Sequence, residues 1–379
     1  MAGWTIVKVA LLSDCYPPRL GGIERQVHDL AHRLVAEGHE VEVFTATAGP
    51  DGERDGTRTT EGNGVVVHRM ALRLPGGVPV NPLAPPEVGR RLRAGGFDVA
   101  HAHLGVVSPF ASDLVGTALA VDLPVLATFH CALGRNQAWL RAVGTVRRWA
   151  ERGVALSGVS RMTAGQVADV AGGATVELLH NGIDAGWWAE GAHDTDAEGL
   201  HVVTAIRLVS RKRPLVLLRS LERARALLDP AVPMRATIPG AGPQRRVMEA
   251  YLRARGIDWV DLPGRMDREQ LRDLHHSADV YASVALLEAF GIAALEARSA
   301  GLPVVTRTGT GVEDIVTHGV DGLLVDTDEE LAVAVAGLGA DRERLAALTA
   351  RARVTPPAQE WPRVLDEHLR QYRRARGET

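Results

Sequence analysis

The sequence predicts an α/β protein made of two doubly wound halves, and three observations carry that prediction. Short β-branched and apolar runs alternate with longer amphipathic segments from end to end, the pattern of parallel βα units. The pattern breaks at residues 184–200 and then starts again. The length, 379 residues, suits two or three ordinary domains.

In the first half, residues 6–12, 41–45, 65–69, 99–103, 125–129, 155–159 and 176–179 read as strands. Residues 22–37 form the clearest helix, with Ile23, Val27, Leu30 and Leu34 at helical spacing and a stop at Gly38. The polar, glycine-rich stretch 49–64 reads as a mobile loop. Around Trp187 and Trp188 periodicity is lost, and 185–200 reads as an interdomain linker. Strands resume at 202–206, 234–238, 259–262, 280–282, 304–306 and 322–325. The last segment is amphipathic through Val364, Leu365 and Leu369, and is expected to cross back onto the first half. The predicted division is therefore 1–184, linker 185–200, 201–357, and a returning helix 358–379. Two such halves imply a cleft, with ligands at the carboxyl ends of the strands.

Composition excludes several classes. With 46% hydrophobic and 23% charged residues the chain is neither disordered nor fibrous. Lys plus Arg is 43 against 46 for Asp plus Glu, a formal charge of −3, so no basic excess points to nucleic acid. Cys15 and Cys131 cannot make a disulfide framework, which suggests a reducing, cytoplasmic setting. The apolar run at 7–12 reads as a first strand because no cleavage pattern follows it. No stretch reaches the ~18 uninterrupted apolar residues of a spanning helix. Of the 43 cations only Lys8 and Lys212 are lysines, so a lysine that resisted the drift to arginine is worth locating.

The strongest local signal is Glu288-Ala-Phe-Gly-Ile-Ala-Ala-Leu-Glu296. Gly291 and Ile292 open a run of good helix formers, so the amides from Phe290 onward are donors at a helix N-terminus, where phosphate or a sugar hydroxyl binds. Glu288 falls in the preceding loop, and Glu296, placed about two turns inside, suits ribose hydroxyls. The alternative is an acidic residue favoured by the helix dipole plus a solvated surface Glu. A second signal, Arg207-Leu-Val-Ser-Arg-Lys212-Arg213-Pro214, follows the first strand of the second half. There Arg207 and Lys212 can meet a diphosphate, one as a planar fork and one as a point charge; a solvated charged loop is the competing reading. Third, Gly21 and Gly22 lead into the first helix and allow close backbone approach, though a turn alone would also use them. Gly240 and Gly242 fall short of a dinucleotide fingerprint. His101, His103 and His130 end strands, but without the Cys/His spacing of a structural metal site no metal is expected there. His130 is read as a cleft hydrogen-bonding group, with a packed core histidine as the alternative.

Together these segments resemble the retaining glycosyltransferases of family 4, which have the GT-B fold. The resemblance spans nearly the whole chain, from Gly21-Gly22-Ile-Glu24 and Gly38-His39-Glu40-Val41, through Asp98 to His103, His130 and Asn181-Gly182-Ile183-Asp184. It continues through Arg207 with Lys212, Gly240-Ala-Gly242-Pro243, Ser277-Ala-Asp279-Val280 and the Glu288/Glu296 pair to Gly301-Leu-Pro303-Val304. His180 departs from the proline usual before Asn-Gly. The resemblance implies that Arg207 and Lys212 bind the diphosphate of a nucleotide-sugar and Glu296 its ribose. Glu288 with the amides of Phe290, Gly291 and Ile292 would hold the donor sugar. Gly22 and His130 would close the acceptor side, and the base would be read near Gly264, Arg265 and Met266. The implied reaction moves a hexosyl group from GDP-mannose or a UDP-hexose to a hydroxyl acceptor, a glycolipid, a glycan or a small metabolite, with retained configuration and with no metal or other cofactor. A retaining glycosidase would instead place two carboxyl groups about 5 Å apart around the sugar.

Residues 139–152 are predicted as one helix, with Trp139, Val143, Val146 and Ala150 on one face and Arg141, Arg148 and Arg152 on another. Such a helix can lie on an anionic membrane, which would place the protein peripherally at the inner face of the plasma membrane. The placement is similar to phosphatidylinositol mannosyltransferases, whose Ala-Thr-Phe-His stretch is matched at Ala127 to His130; an ordinary surface helix is the alternative. Two other functions stay open, a nucleotide-sugar 2-epimerase of similar shape and a non-catalytic nucleotide-sugar-binding subunit.

Overall fold

A computed structural model describes residues 6–74, 77–191 and 199–378. The chain divides into two compact units, one running to Gly182 and resuming at Trp361, the other spanning Ile183–Glu360.

The first unit is built on eight strands: β1 Lys8–Ser13, β2 Glu40–Thr45, β3 Thr57–Thr60, β4 Val66–Arg69, β5 Val99–Leu104, β6 Val125–Phe129, β7 Ala155–Gly158 and β8 Val176–Leu178. Their order is β3-β4-β2-β1-β5-β6-β7-β8, parallel throughout except where β3 runs antiparallel to β4. The central strands read as continuous apolar runs because both sheet faces are covered. β3 corrects the expectation of a loop over 49–64. Its sequence, Thr-Arg-Thr-Thr, has no apolar residue to advertise a strand, and pairing with β4 alone orders it. The helix Gly22–Ala36 buries Val27, Leu30, Ala31 and Leu34. The returning helix Trp361–Ala375 buries Val364, Leu369 and Tyr372 among Val9, Leu11, Val43 and Leu126. Tyr372 meets His101 Nδ1 through its hydroxyl at 3.0 Å, and His101 Nε2 meets Thr128 Oγ1 at 2.7 Å. His101 is thus a satisfied core histidine, whereas the buried His103 bonds through Nδ1 only, its Nε2 having no hydrogen-bond partner among the described residues.

The second unit has β9 Leu200–Val203, β10 Met234–Thr237, β11 Val260–Asp261, β12 Val280–Ser283, β13 Val304–Arg307 and β14 Gly322–Val325. The order is β11-β10-β9-β12-β13-β14, all parallel. β9 and β12, neighbours from opposite winding directions, make the topological switch point where such sheets bind ligands. The predicted linker needs correction. Residues Ala185–Ala189 form a short helix whose Trp188 is 1% exposed, and its carbonyl accepts from His276 Nε2 at 2.9 Å. β9 already begins at Leu200. Two adjacent tryptophans in a polar run hide this, because periodicity needs more than five residues to show. The rest of the linker expectation, 192–198, lies outside the described residues.

Candidate functional site

After β9 the chain continues beside the loop that follows β10. Ile206 N–H donates to Pro239 O at 3.1 Å, Leu208 N–H to Ala241 O at 3.0 Å and Gln244 N–H to Leu208 O at 3.0 Å. Side chains would prevent this approach. A Cβ on Gly240 would lie 1.8 Å from Ile206 O, and one on Gly242 would lie 2.4 Å from Leu208 O. Gly240 N–H also donates to Gly264 O at 2.6 Å, so the loops after β9, β10 and β11 form one shelf. The two glycines serve loop-on-loop packing here. Arg265 is exposed and Met266 half-buried on the same shelf. Arg207 is exposed at its edge, and its side chain has no hydrogen bond or ion pair among the described residues.

A turn at Ser210–Lys212 then launches the helix Pro214–Leu227 through Arg213, whose φ of 57° is left-handed. A non-glycine residue holds such a conformation only when its surroundings over-determine it. Arg213 donates to Val284 O at 2.9 Å and takes Asp328 in a fork at 3.0 and 2.5 Å. Asp328 also accepts from Arg307 at 2.6 Å. Burial acts to raise the Asp328 carboxyl, but hydrogen bonds and charge from the two arginines outweigh it and hold it below its ordinary value. With Arg213 anchored inward, Lys212 turns the other way, and its Nζ contacts Glu288 Oε2.

Glu288 follows β12, so the pair closes over the β9/β12 switch point. Gly291, at φ 96°, caps the helix Ile292–Ser299, and a Cβ there would come within 2.6 Å of Val312 Cγ2. Gly311 N–H donates to Glu288 O at 2.8 Å, and a Cβ on Gly311 would lie 2.0 Å from Ala289 O. These contacts hold Glu288 and the buried Phe290 in front of the helix amides. Because the helix starts only at Ile292, Glu296 lies just over one turn inside, not two. The buried Tyr281 phenol is pushed up by burial first and then by the Glu288 and Glu296 carboxylates.

In the first unit, Gly21 is extended at φ 176°, a conformation open to any residue. What limits the site is Glu24, whose carboxylate a Gly21 Cβ would strike; Glu24 also pairs with Arg19 at 3.5 Å. Gly22 is the first residue of its helix. His130 N–H donates to Leu104 O at 2.8 Å, and its Nε2 meets His103 Nδ1 at 2.9 Å. Burial, and then the neighbouring His368, lowers the His130 pKa to about 4, so the ring is neutral at physiological pH. The single helix expected over 139–152 is replaced by two, Gln137–Val143 and Thr145–Glu151, broken at Gly144 with φ 68°. The break turns Val146 and Trp149 into the core and leaves Trp139 60% exposed, so the expected common apolar face does not form. Arg148 bends back to donate to Val143 O at 2.9 Å.

Two residues escaped the sequence reading. Arg213 sits inside the noticed basic run, where nothing separates an anchor from a ligand. Asp14 follows β1, which with β5 forms the switch point of the first sheet, and accepts from Phe110 N–H at 3.0 Å. Burial raises its carboxyl to about 6 against the hydrogen bonds from Ser108, Phe110 and Ala111. An acidic residue two positions past the first apolar run was the available signal.

Two parallel-sheet α/β units, the second with a cation–carboxylate pair over its switch point, are the architecture of the GT-B fold. The solved structures agree on the fold. The Anabaena protein HepE in complex with UDP and glucose superposes with a TM-score of 0.72 at 17% identity over 96% of this chain and 98% of that one. The catalytic domain of starch synthase IV from Arabidopsis thaliana, bound to ADP and acarbose, gives 0.74 at 15% identity over 99% and 100%. The family model Glycosyltransferase Family 4 matches residues 20–187, and Glycosyl transferases group 1 matches residues 191–355. A GDP-mannose-dependent alpha-(1-6)-phosphatidylinositol monomannoside mannosyltransferase of Mycolicibacterium smegmatis is 30% identical, covering 89% of this chain and 91% of its own. A glycogen synthase of Mycobacterium tuberculosis is 28% identical over 84% and 82%. The chain belongs to glycosyltransferase family 4. It is a glycosyltransferase that uses a nucleotide-sugar, which sets aside both the epimerase and the non-catalytic subunit.

Proposed function

We propose that the protein is a retaining hexosyltransferase whose donor is GDP-mannose and whose acceptor is a hydroxyl of a glycolipid. The observation that carries the reading is the Lys212–Glu288 pair at the switch point, in front of the amides that open Ile292–Ser299. Similarity to GDP-mannose-dependent mannosyltransferases of mycobacteria favours GDP-mannose over a UDP-hexose.

In this reading the donor separates the pair. Lys212 and Arg207 take the diphosphate, Glu288 with the amides at Phe290, Gly291 and Ile292 takes sugar hydroxyls, and Glu296 takes the ribose. Gly264, Arg265 and Met266 border the base. As the bond from the anomeric carbon to the diphosphate breaks, negative charge grows on the leaving oxygens. Lys212, Arg207 and the helix terminus stabilise that charge, and single preorganised donors of this kind are worth ~10²-fold or more. The acceptor oxygen attacks from the face the diphosphate leaves, and a β-phosphate oxygen takes its proton, so configuration is kept. On the acceptor side we place Gly21, Gly22 and His130, the last as a neutral hydrogen-bonding imidazole.

A thermal-shift panel of GDP-mannose, UDP-glucose and ADP-glucose, followed by NMR of the anomeric product, tests the reading. Stabilisation by GDP-mannose above the others and an α product are expected. Preference for a UDP-sugar would overturn the donor, and an inverted product would overturn the mechanism.

A further inference from the structure

We propose that His28, His32 and Glu61 form a binding site for a divalent transition metal such as Zn²⁺, which ties the β3–β4 turn to the helix Gly22–Ala36. The site lies apart from every residue assigned above to donor or acceptor. His28 and His32 are four apart on that helix and so project from one face; their ring centroids are 4.1 Å apart. Glu61 opens the hairpin turn, where its N–H donates to Val65 O at 2.9 Å and its carbonyl accepts from Gly64 N–H at 2.8 Å.

The turn brings the Glu61 carboxylate onto the two rings. Glu61 Oε2 is 2.7 Å from His32 Nε2 and 3.9 Å from His28 Nε2, and one ligand atom from each residue lies within 4.8 Å of the others. Bonds of about 2.0–2.1 Å in a tetrahedral site put ligand atoms roughly 3.3 Å apart, so shifts of about 1 to 1.5 Å close the set. Two imidazoles and one carboxylate are the ligands of an open zinc site, with the fourth position left to water. Outer contacts that orient such ligands are also present. His28 Nδ1 is 3.2 Å from Asp29 Oδ1, and the Tyr16 hydroxyl donates to Glu61 Oε2 at 3.1 Å. Arg69 lies over the Tyr16 ring at 5.3 Å. The side chains of His28, His32 and Glu61 are 36%, 27% and 24% exposed, open enough for an ion to enter and covered enough to limit competing water. Without metal, the His32–Glu61 hydrogen bond holds the same groups with a proton in the metal's place.

The test is calorimetric titration of chelator-treated full-length protein with Zn²⁺, with Co²⁺ d–d absorption reporting coordination geometry. One equivalent is expected to bind, with tetrahedral or five-coordinate Co²⁺ bands and a rise in Tm. His32→Gln and Glu61→Gln, each able to keep a hydrogen bond, should weaken binding at least ~10-fold, whereas His318→Gln, on the surface of the other unit, should not. Circular dichroism of the metal-free variants confirms that they fold. Protection of the 61–65 turn from proteolysis by Zn²⁺ gives a readout in the unaltered chain. No stoichiometric binding, or binding that survives loss of both His32 and Glu61, overturns the site and leaves a plain His–Glu hydrogen bond.

Discussion

Lys212 is one of two lysines among 43 lysines and arginines, and in the proposed reading its compact ammonium exchanges Glu288 for a phosphate oxygen of the donor. Arg213, beside it, is a structural fork locked onto Asp328; a second fork at 212 would be too wide to exchange Glu288 for a phosphate oxygen. Lys212→Arg is expected to lower kcat by about tenfold and Lys212→Ala by about 10²-fold or more. Steady-state transfer measured beside donor binding checks this, and full activity in the arginine variant would make the lysine an accident of composition. Glu288→Gln should cut turnover more than donor affinity, whereas Glu296→Gln should mainly raise the donor KM. The candidate residues were readable in the sequence because Glu288 and Glu296 bracket a helix start and Lys212 stands out by rarity. Their pairing was not, since 76 positions separate Lys212 from Glu288 and only the order of strands β9 and β12 brings them together.

At the scale of elements, the loop shelf depends on two missing side chains. Gly240→Ala would force the β9 and β10 loops apart at the 1.8 Å approach to Ile206 O, with an expected cost of about 1–3 kcal/mol and weaker donor binding. Chemical denaturation and donor titration of that variant measure both. Buried histidines set acid tolerance. His130 and His368 are held down to about 4, and His275 to about 3, in each case by burial first. Unfolded imidazoles take up protons near pH 6.5, so stability is full above that value and is lost as pH falls toward 4. Asp14, raised to about 6, acts in the opposite sense but is a single group. Tm should therefore fall between about pH 7 and pH 5, and His275→Leu, which removes a ring whose nitrogens are both unpartnered, should flatten that fall. The two short helices after β6 keep Trp139 and Val143 outward beside Arg141. If the glycolipid acceptor is met at a membrane surface, Trp139→Ser should reduce binding to anionic vesicles, and cosedimentation unchanged by that variant would count against a membrane-borne acceptor. Most strands were readable from apolar runs. β3 was not, because an all-polar edge strand has no pattern of its own, and neither was the Gly144 break, because helical spacing continues across it in the sequence.

For the whole molecule, the alternation of strand and helix was enough to predict two doubly wound halves, since parallel strands buried on both faces must be apolar throughout. The return of the last helix was foreseen from Val364, Leu365 and Leu369, but its depth was not. Tyr372 is fully buried and bonded to His101, a contact between residues 271 positions apart that no local pattern can announce. Removing the chain from Trp361 onward should uncover Val9, Leu11 and Leu126 and make the first unit insoluble; a soluble truncated protein with an intact melting transition would contradict this. Tyr372→Phe, which leaves the His101 hydrogen bond unmade, should cost about 1 kcal/mol.

The interruption of the first unit by the second has a consequence for how the protein is made. Domains usually fold in the order they leave the ribosome, but here the unit whose synthesis begins first is finished last. While Ile183–Glu360 is being translated, one face of the eight-stranded sheet has the helix Gly22–Ala36 but lacks Trp361–Ala375, which packs in the same core. A stalled ribosome or premature stop anywhere in the second unit therefore leaves the first without the helix that buries Val9, Leu11 and Leu126.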